Sequence, residues 1–134
     1  MEEKIICKSC GEKISGTYVN LGFSCTAALN CSKCESILFI SDYDDVWNKY
    51  PKLKEAKFEP HNRHLLPYWN AIELEYENCD CGGSFNFMNP PRCPLCKGSL
   101  GRYTYEDKPI LKQWDRYSFV CGKTYKGEEH KKQS

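Results

Sequence analysis

The sequence has 134 residues, of which 10 are Cys, with 40% hydrophobic residues and a formal net charge of +1. This length excludes a large barrel or a two-domain dinucleotide enzyme. The cysteine content is typical of a small scaffold stabilised by metal or cross-links. No signal-like apolar stretch opens the sequence and no run of 18 apolar residues occurs. We therefore expect a cytoplasmic protein, and in a reducing compartment dense cysteine favours metal binding over disulfides.

Eight of the ten cysteines form closely spaced pairs, three with C-x-x-C and one with C-x-C spacing. The pairs are Cys7 with Cys10, Cys31 with Cys34, Cys79 with Cys81, and Cys93 with Cys96. Two thiolates at this spacing can bind one tetrahedral ion while the turn between them directs backbone N–H groups at the sulfurs. Taken in chain order, the pairs predict two four-cysteine sites, the first formed by the first two pairs and the second by the last two.

Glycines support the metal-binding turns. A chain that turns round a metal often needs a positive φ just after the second cysteine, and Gly11 and Gly82 stand there. Cys34 is not followed by glycine, so Cys25 is an alternative ligand for that turn. Cys121 is then the other spare thiol.

The first half reads as strands followed by a short helix. GTYVNLGF over residues 16–23 and SILFI over residues 36–40 are strand-like. Ser41 or Asp42 can cap a helix that continues to Trp47 and Tyr50.

The second half begins with a linker that contains two prolines, over residues 59–67. We favour a strand next, because Ile72, Leu74 and Tyr76 alternate with glutamates. Two aromatic strand candidates follow the last cysteine pair, and the polar segment 123–134 is predicted to be disordered.

The cysteine motifs resemble those of zinc-ribbon proteins. CKSCG with CSKC forms one such unit, and CDCGG with PPRCPLCKG forms a second that is also similar to rubredoxin-like turns. The resemblance implies a structural zinc site with four cysteine ligands on each small antiparallel hairpin, usually serving recognition of protein or nucleic acid. C-D-C departs from the usual C-x-x-C of rubredoxin-like proteins. Iron at one site and disulfides are the alternatives to two zinc ions.

We therefore predict a small β-rich α+β fold with two zinc-ribbon-like antiparallel β units and a short helical linker. The predicted division is a first ribbon at 1–42, a helical and proline-containing linker at 43–75, a second ribbon at 76–122 and the polar tail at 123–134.

No enzyme motif accompanies the cysteines. His61 and His64 lie between prolines without an HExxH pattern, and no P-loop, dinucleotide-binding or nucleophile-elbow motif is present. A fourth cysteine also closes a zinc site that a catalytic zinc would keep open. The sequence thus predicts a non-enzymatic protein.

The predicted role is binding of a protein partner. Eight thiolates and two divalent ions would change the net charge from +1 to −3, which disfavours phosphate binding. The predicted anchors are aromatic residues near the linker, namely Trp47, Tyr50, Tyr68 and Trp69. The alternatives are a nucleic-acid-binding zinc ribbon and a small cytosolic antidote, an immunity-type protein that blocks a toxin.

Overall fold

The computed structural model describes residues 2–7, 9–20, 25–55, 66–86, 89–100 and 117–132. The strands in this part of the chain are β1 (Glu2–Ile6), β2 (Lys13–Asn20), β3 (Cys25–Cys31), β4 (Ile37–Ser41), β5 (Phe85–Asn86), β6 (Tyr117–Val120) and β7 (Thr124–Lys126). The helices are α1 (Val46–Lys49), α2 (Pro51–Glu55) and α3 (Leu66–Glu73). The predicted small β-rich α+β fold is confirmed.

The first sheet, sheet A, has the strand order β1-β2-β6 and is antiparallel. Strands β1 and β2 pair from Glu2 opposite Thr17 to Ile6 opposite Lys13, so that the turn between them carries the first cysteine pair. The small core beside sheet A consists of Ile5, Cys7, Ile14, Cys93, Leu100 and Phe119.

The second sheet, sheet B, has the strand order β5-β3-β4-β7. Strand β3 is antiparallel to β4 and β5, whereas β7 runs parallel to β4. Buried side chains from β3 and β4, including Leu29, Leu38 and Ile40, pack with residues of the three helices to form the larger core. Burial of these aliphatic side chains provides the main hydrophobic stabilisation of this half of the molecule.

The strand predicted after the linker is wrong, because this segment contains helix α3. Trp69, Ile72 and Tyr76 are almost fully buried, whereas Leu74 is 68% exposed. Within α3 the buried residues Trp69 and Ile72 are three positions apart, as expected for one helix face. Leu74 lies in the turn that follows α3, and Tyr76 forms an isolated bridge with Lys131, so the alternating pattern does not describe this segment. The predicted helix at Trp47 is present as α1, which begins at Val46 rather than at Ser41 or Asp42.

The C-terminal segment differs from the predicted disordered tail. Residues 124–126 form β7, which pairs with β4, and a 3₁₀ turn follows at Gly127–Glu129. The Tyr125 ring packs edge-on against Phe85, with ring centroids 5.2 Å apart. One aromatic side chain and a row of backbone hydrogen bonds order a segment whose composition is otherwise polar.

The two predicted ribbon units share a sheet. Sheet B combines β3 and β4 from the first half with β5 from the second half and β7 from the segment predicted to be a tail. The linker histidines His61 and His64 lie outside the described residues.

Candidate metal centres

Eight cysteines form two groups of four. We call Cys7, Cys10, Cys93 and Cys96 the outer site, and Cys31, Cys34, Cys79 and Cys81 the inner site. In each group the Sγ atoms all lie within 4.8 Å of one another. The outer site therefore joins the first and fourth pairs of the sequence, and the inner site joins the second and third.

The predicted pairing in chain order is wrong. The segment between neighbouring pairs has a length suited to a hairpin, but strand pairing between distant parts of the chain brings different pairs together. Strand β5 adds to β3 at Asn30 and Cys31, which places the third pair beside the second. A backbone bond between Ser32 N–H and Ser84 O, at 2.9 Å, completes this alignment.

The sulfur spacing suits tetrahedral coordination. In the outer site Cys7 and Cys96 Sγ are 3.7 Å apart, and Cys10 and Cys93 Sγ are 3.9 Å apart. In the inner site Cys31 and Cys81 Sγ are 3.4 Å apart, and Cys34 and Cys79 Sγ are 3.5 Å apart. A tetrahedral ion with sulfur ligands at about 2.3 Å separates the sulfurs by about 3.8 Å. These cysteines are free thiols rather than disulfides.

The two turns of the outer site share one backbone design. Gly11 N–H donates to Cys7 O at 2.7 Å, and Lys97 N–H donates to Cys93 O at 2.8 Å. The residue after the second cysteine has a positive φ in both turns, +76° at Gly11 and +63° at Lys97. Glycine adopts this region without strain, whereas lysine does not. Sequence reasoning identified Gly11 but could not identify Lys97, which carries no glycine signal.

The inner site uses two different turns. Gly82 has φ +92°, and its N–H donates to Cys79 O at 2.9 Å, so a tight turn accommodates the C-D-C spacing. The turn at Cys34 has no glycine and instead uses Ser36, which is buried. Cys34 Sγ and Ser36 Oγ form a hydrogen bond at 3.2 Å, and Cys31 N–H donates to Ser36 O at 3.0 Å.

Cys34 therefore belongs to the inner site. Cys25, the alternative ligand, lies at the opposite end of β3 from the site residue Cys31. Cys25 begins β3 opposite Ser41. The side chain of Cys25 lies outside the described residues.

Backbone N–H groups donate to ligand sulfurs in both sites, with five such N–H···S distances of 3.4 Å. The pairs are Lys33 with Cys31, Ser36 with Cys34, Gly83 with Cys81, Leu95 with Cys93 and Gly98 with Cys96. Such bonds orient ligand sulfurs and offset part of the negative charge of thiolates.

Gly83 permits the close approach of the two inner turns. A Cβ atom at this position would lie 2.5 Å from Cys31 Sγ. No ordinary side chain fits at that distance, so the second glycine of CDCGG is a requirement of the site rather than of the local turn alone.

The electrostatics of each site favour a cation. Backbone N–H donation, chiefly at Cys10, lowers the pKa of the Cys7 thiol to about 7. Burial opposes ionisation of Cys79, yet hydrogen bonds from the Cys81 backbone and from Ser36 lower its pKa to about 7. Burial raises the pKa of Cys31 to about 12. Each group thus contains a thiol that ionises near neutral pH, and the thiolate is the form in which cysteine binds a metal ion.

Cys121 belongs to neither group. Its Sγ donates to Arg92 O at 3.4 Å, and burial raises its pKa to about 11. His130 also stands apart from both sites, because its Nε2 lies 3.0 Å from Asn78 O and its ring packs against Tyr125.

The aromatic anchors predicted for partner binding are largely core residues. Trp47 and Trp69 are 3% and 1% exposed and pack edge-to-face with ring centroids 5.9 Å apart. Tyr50 and Tyr68 are half-buried against the same core. The large exposed hydrophobic residues of the described chain are instead Ile6, Tyr43, Leu74 and Leu95. Two of these adjoin outer-site ligands, a position that only the folded structure makes evident.

Fold and sites together define a small β-rich protein with two four-cysteine centres that could hold metal ions. A family model for a domain of unknown function, DUF8255, matches residues 3–101, which are 99 of the 134 residues and include all eight site cysteines. The chain therefore belongs to the DUF8255 family. No curated protein and no solved structure matches it. In the part of the chain that the structure describes, no helix is long and apolar enough to cross a membrane.

Proposed function

We propose that the protein binds two zinc ions, one at each four-cysteine centre, and serves as a non-enzymatic module that binds a protein partner. The observation that carries the metal assignment is the convergence of eight thiols into two groups with Sγ atoms within 4.8 Å. Four thiolates in tetrahedral arrangement suit zinc or iron. The resemblance to zinc ribbons supports zinc.

Both centres have the composition of structural sites. Four protein ligands fill a tetrahedral coordination sphere, which leaves no position for water or substrate. The ions would hold together turns that lie up to 89 residues apart in the chain, as Cys7 and Cys96 do. This closed ligand set supports a stabilising role for the ions and a role in binding rather than catalysis for the protein.

Exposed apolar residues beside the outer site support partner binding there. Ile6 is 57% exposed and precedes Cys7, and Leu95 is 63% exposed and precedes Cys96. Because the Sγ atoms of these two cysteines are 3.7 Å apart, the backbones that carry Ile6 and Leu95 are held close together. A backbone that a metal ion already fixes loses little further conformational entropy when a partner binds.

Surface cations give less support to nucleic-acid binding. Lys49, Lys97, Lys123 and Lys131 each form a salt bridge with a carboxylate. The net charge of −3 after metal binding and the pairing of these four lysines both disfavour binding to the phosphate backbone.

The metal assignment is tested by elemental analysis of reduced, freshly purified protein, which should contain two zinc ions per chain. Partner binding is tested by co-purification from host cells with the natural chain, with the double variant Ile6→Ser/Leu95→Ser, and with Leu74→Ser as control. Leu74 is equally exposed but lies on the turn after α3. A partner retained by the control and lost from the double variant supports the proposal. A partner that both retain equally would place the binding surface elsewhere.

A further inference from the structure

The two centres are nested in the chain, and we propose that they bind their ions cooperatively, each occupied site raising the affinity of the other. This inference rests on the proposed binding of two ions and concerns how the two sites depend on one another.

Chain connectivity is the first source of coupling. The inner site joins Cys34 to Cys79 across 45 residues, and the outer site joins Cys10 to Cys93 across 83 residues. Once the inner site is closed, the path between the outer pairs shortens. It then consists of the 21 residues from Cys10 to Cys31 and the 12 residues from Cys81 to Cys93.

The shorter path lowers the entropy cost of the second closure. Loop-closure entropy grows as three halves of RT times the logarithm of loop length, so shortening the loop from 83 residues to about 33 raises the outer-site affinity about fourfold. Thermodynamic linkage requires an ion at the outer site to raise the inner-site affinity by the same factor.

Direct contacts between the sites are the second source. Glu35 follows Cys34 of the inner site, and its Oε2 lies 2.7 Å from Nζ of Lys97, which follows Cys96 of the outer site. Gly122 packs against the Glu35 side chain so closely that a Cβ there would overlap Glu35 Cγ. Fixing the Cys34 turn with a metal ion therefore also positions the carboxylate that holds the last turn of the outer site.

The segment between β6 and β7 strengthens this connection. Cys121 donates to Arg92 O beside the outer site, and Ile37 N–H of β4 donates to Lys123 O at 3.0 Å. Together with the contact of Gly122 with Glu35, these bonds connect sheet A to sheet B through residues 121–123. The core beside sheet A has only six buried residues in the described chain, so the outer turns depend on the ions and on these ties to stay together.

The test is a titration of the reduced, metal-free full chain with Zn²⁺ against a competing chelator, with ions per chain counted by native mass spectrometry. The double variant Cys31→Ser/Cys34→Ser reports the outer site alone, and Cys93→Ser/Cys96→Ser reports the inner site alone. We expect the product of the two binding constants of the natural chain to exceed the product of these single-site constants at least about fourfold. A ratio of one would overturn the proposal.

A second pair of variants separates coupling from local damage. Cys79→Ser/Cys81→Ser must weaken the outer site as much as Cys31→Ser/Cys34→Ser does, and weakening by only one of them would count against coupling through the inner ion. Glu35→Gln keeps all eight ligands and should reduce the ratio, whereas an unchanged ratio would remove the salt bridge from the explanation. A natural chain that binds fewer than two ions would instead contradict the proposed function.

Discussion

Lys97 Nζ lies 2.7 Å from Glu35 Oε2, so a salt bridge joins the residue after the last ligand of the outer site to the residue after Cys34 of the inner site. Lys97 also has the left-handed backbone, with φ +63°, that Gly11 adopts in the matching outer turn. One residue thus combines an inter-site contact with a strained conformation.

The strain at Lys97 can be separated from its ion pair. Lys97→Ala and Lys97→Gly both remove a half-exposed ion pair worth about 0.2–1 kcal/mol, but only glycine relieves the backbone. We expect Lys97→Gly to be more stable than Lys97→Ala by about 1 kcal/mol. Urea unfolding of the metal-loaded proteins measures the difference. Equal stability of the two variants would mean that this residue is not left-handed in solution.

Gly83→Ala should empty the inner site. A methyl group there would lie 2.5 Å from Cys31 Sγ, so the two inner turns cannot close. Gly11→Ala is the matched control, because its methyl group meets no atom within 4 Å and the change costs only the strain of a positive φ, about 1 kcal/mol. Elemental analysis should find about one ion fewer in Gly83→Ala than in Gly11→Ala. Two tightly bound ions in both variants would contradict the inner-site geometry.

Asp44 should be important for the order of the C-terminal segment. Its buried carboxylate accepts hydrogen bonds from Val46 N–H at 2.9 Å and from Tyr76 O–H at 3.0 Å, and it pairs with Lys131 at 2.6 Å. Burial, and next the Asp44 charge, raise the pKa of Tyr76, which therefore remains a donor at alkaline pH.

Asp44→Asn should lower the free energy of unfolding by about 1–3 kcal/mol, because it weakens charged hydrogen bonds in a buried position. Asp45→Asn, which changes an exposed carboxylate that also contacts Lys131, should lower the free energy of unfolding much less, because solvent screens an exposed ion pair. Urea unfolding gives both values, and hydrogen exchange over residues 124–131 should accelerate only in Asp44→Asn. Similar losses in both variants would show that the buried bonds are unimportant.

Cys121 should react slowly with alkylating agents although it belongs to neither site. Because burial raises its pKa to about 11, little of it is thiolate at pH 8, and its labelling rate should rise about tenfold per pH unit below that pKa. Mass spectrometry after timed iodoacetamide treatment of the metal-loaded protein measures this. Labelling at about pH 7.5 as fast as that of a free small thiol would contradict the burial of Cys121. Cys25 remains the predicted second spare thiol.

The spacing of residues in the sequence predicted those features that depend on short segments of the chain. The cysteine pairs and the left-handed glycines Gly11 and Gly82 follow from chemistry within a few residues, and so does the β-rich fold class. The choice of which cysteine pairs share a site does not follow from local spacing. It depends on the pairing of β5 with β3 at Asn30 and Cys31, which are far from β5 in the sequence. Segment length alone favoured neighbouring pairs, and strand pairing and core formation outweighed it.

The misassigned elements have a similar origin. Both a strand and a helix fit the apolar residues near Trp69, and the packing of Trp69 against Trp47 is consistent with the helix. Tyr125 is the only large apolar side chain of the polar C-terminal segment, and its contact with Phe85 depends on the rest of the fold.

The nested arrangement of the two centres is tested most directly by counting ions in two quadruple variants. Cys7→Ser/Cys10→Ser/Cys93→Ser/Cys96→Ser removes the outer site alone, and should retain one zinc ion per chain at the inner site. Cys7→Ser/Cys10→Ser/Cys31→Ser/Cys34→Ser removes half of each site and should retain none. The opposite result, no ion in the first variant and one in the second, would show that the pairs bind metal in chain order and would contradict this account.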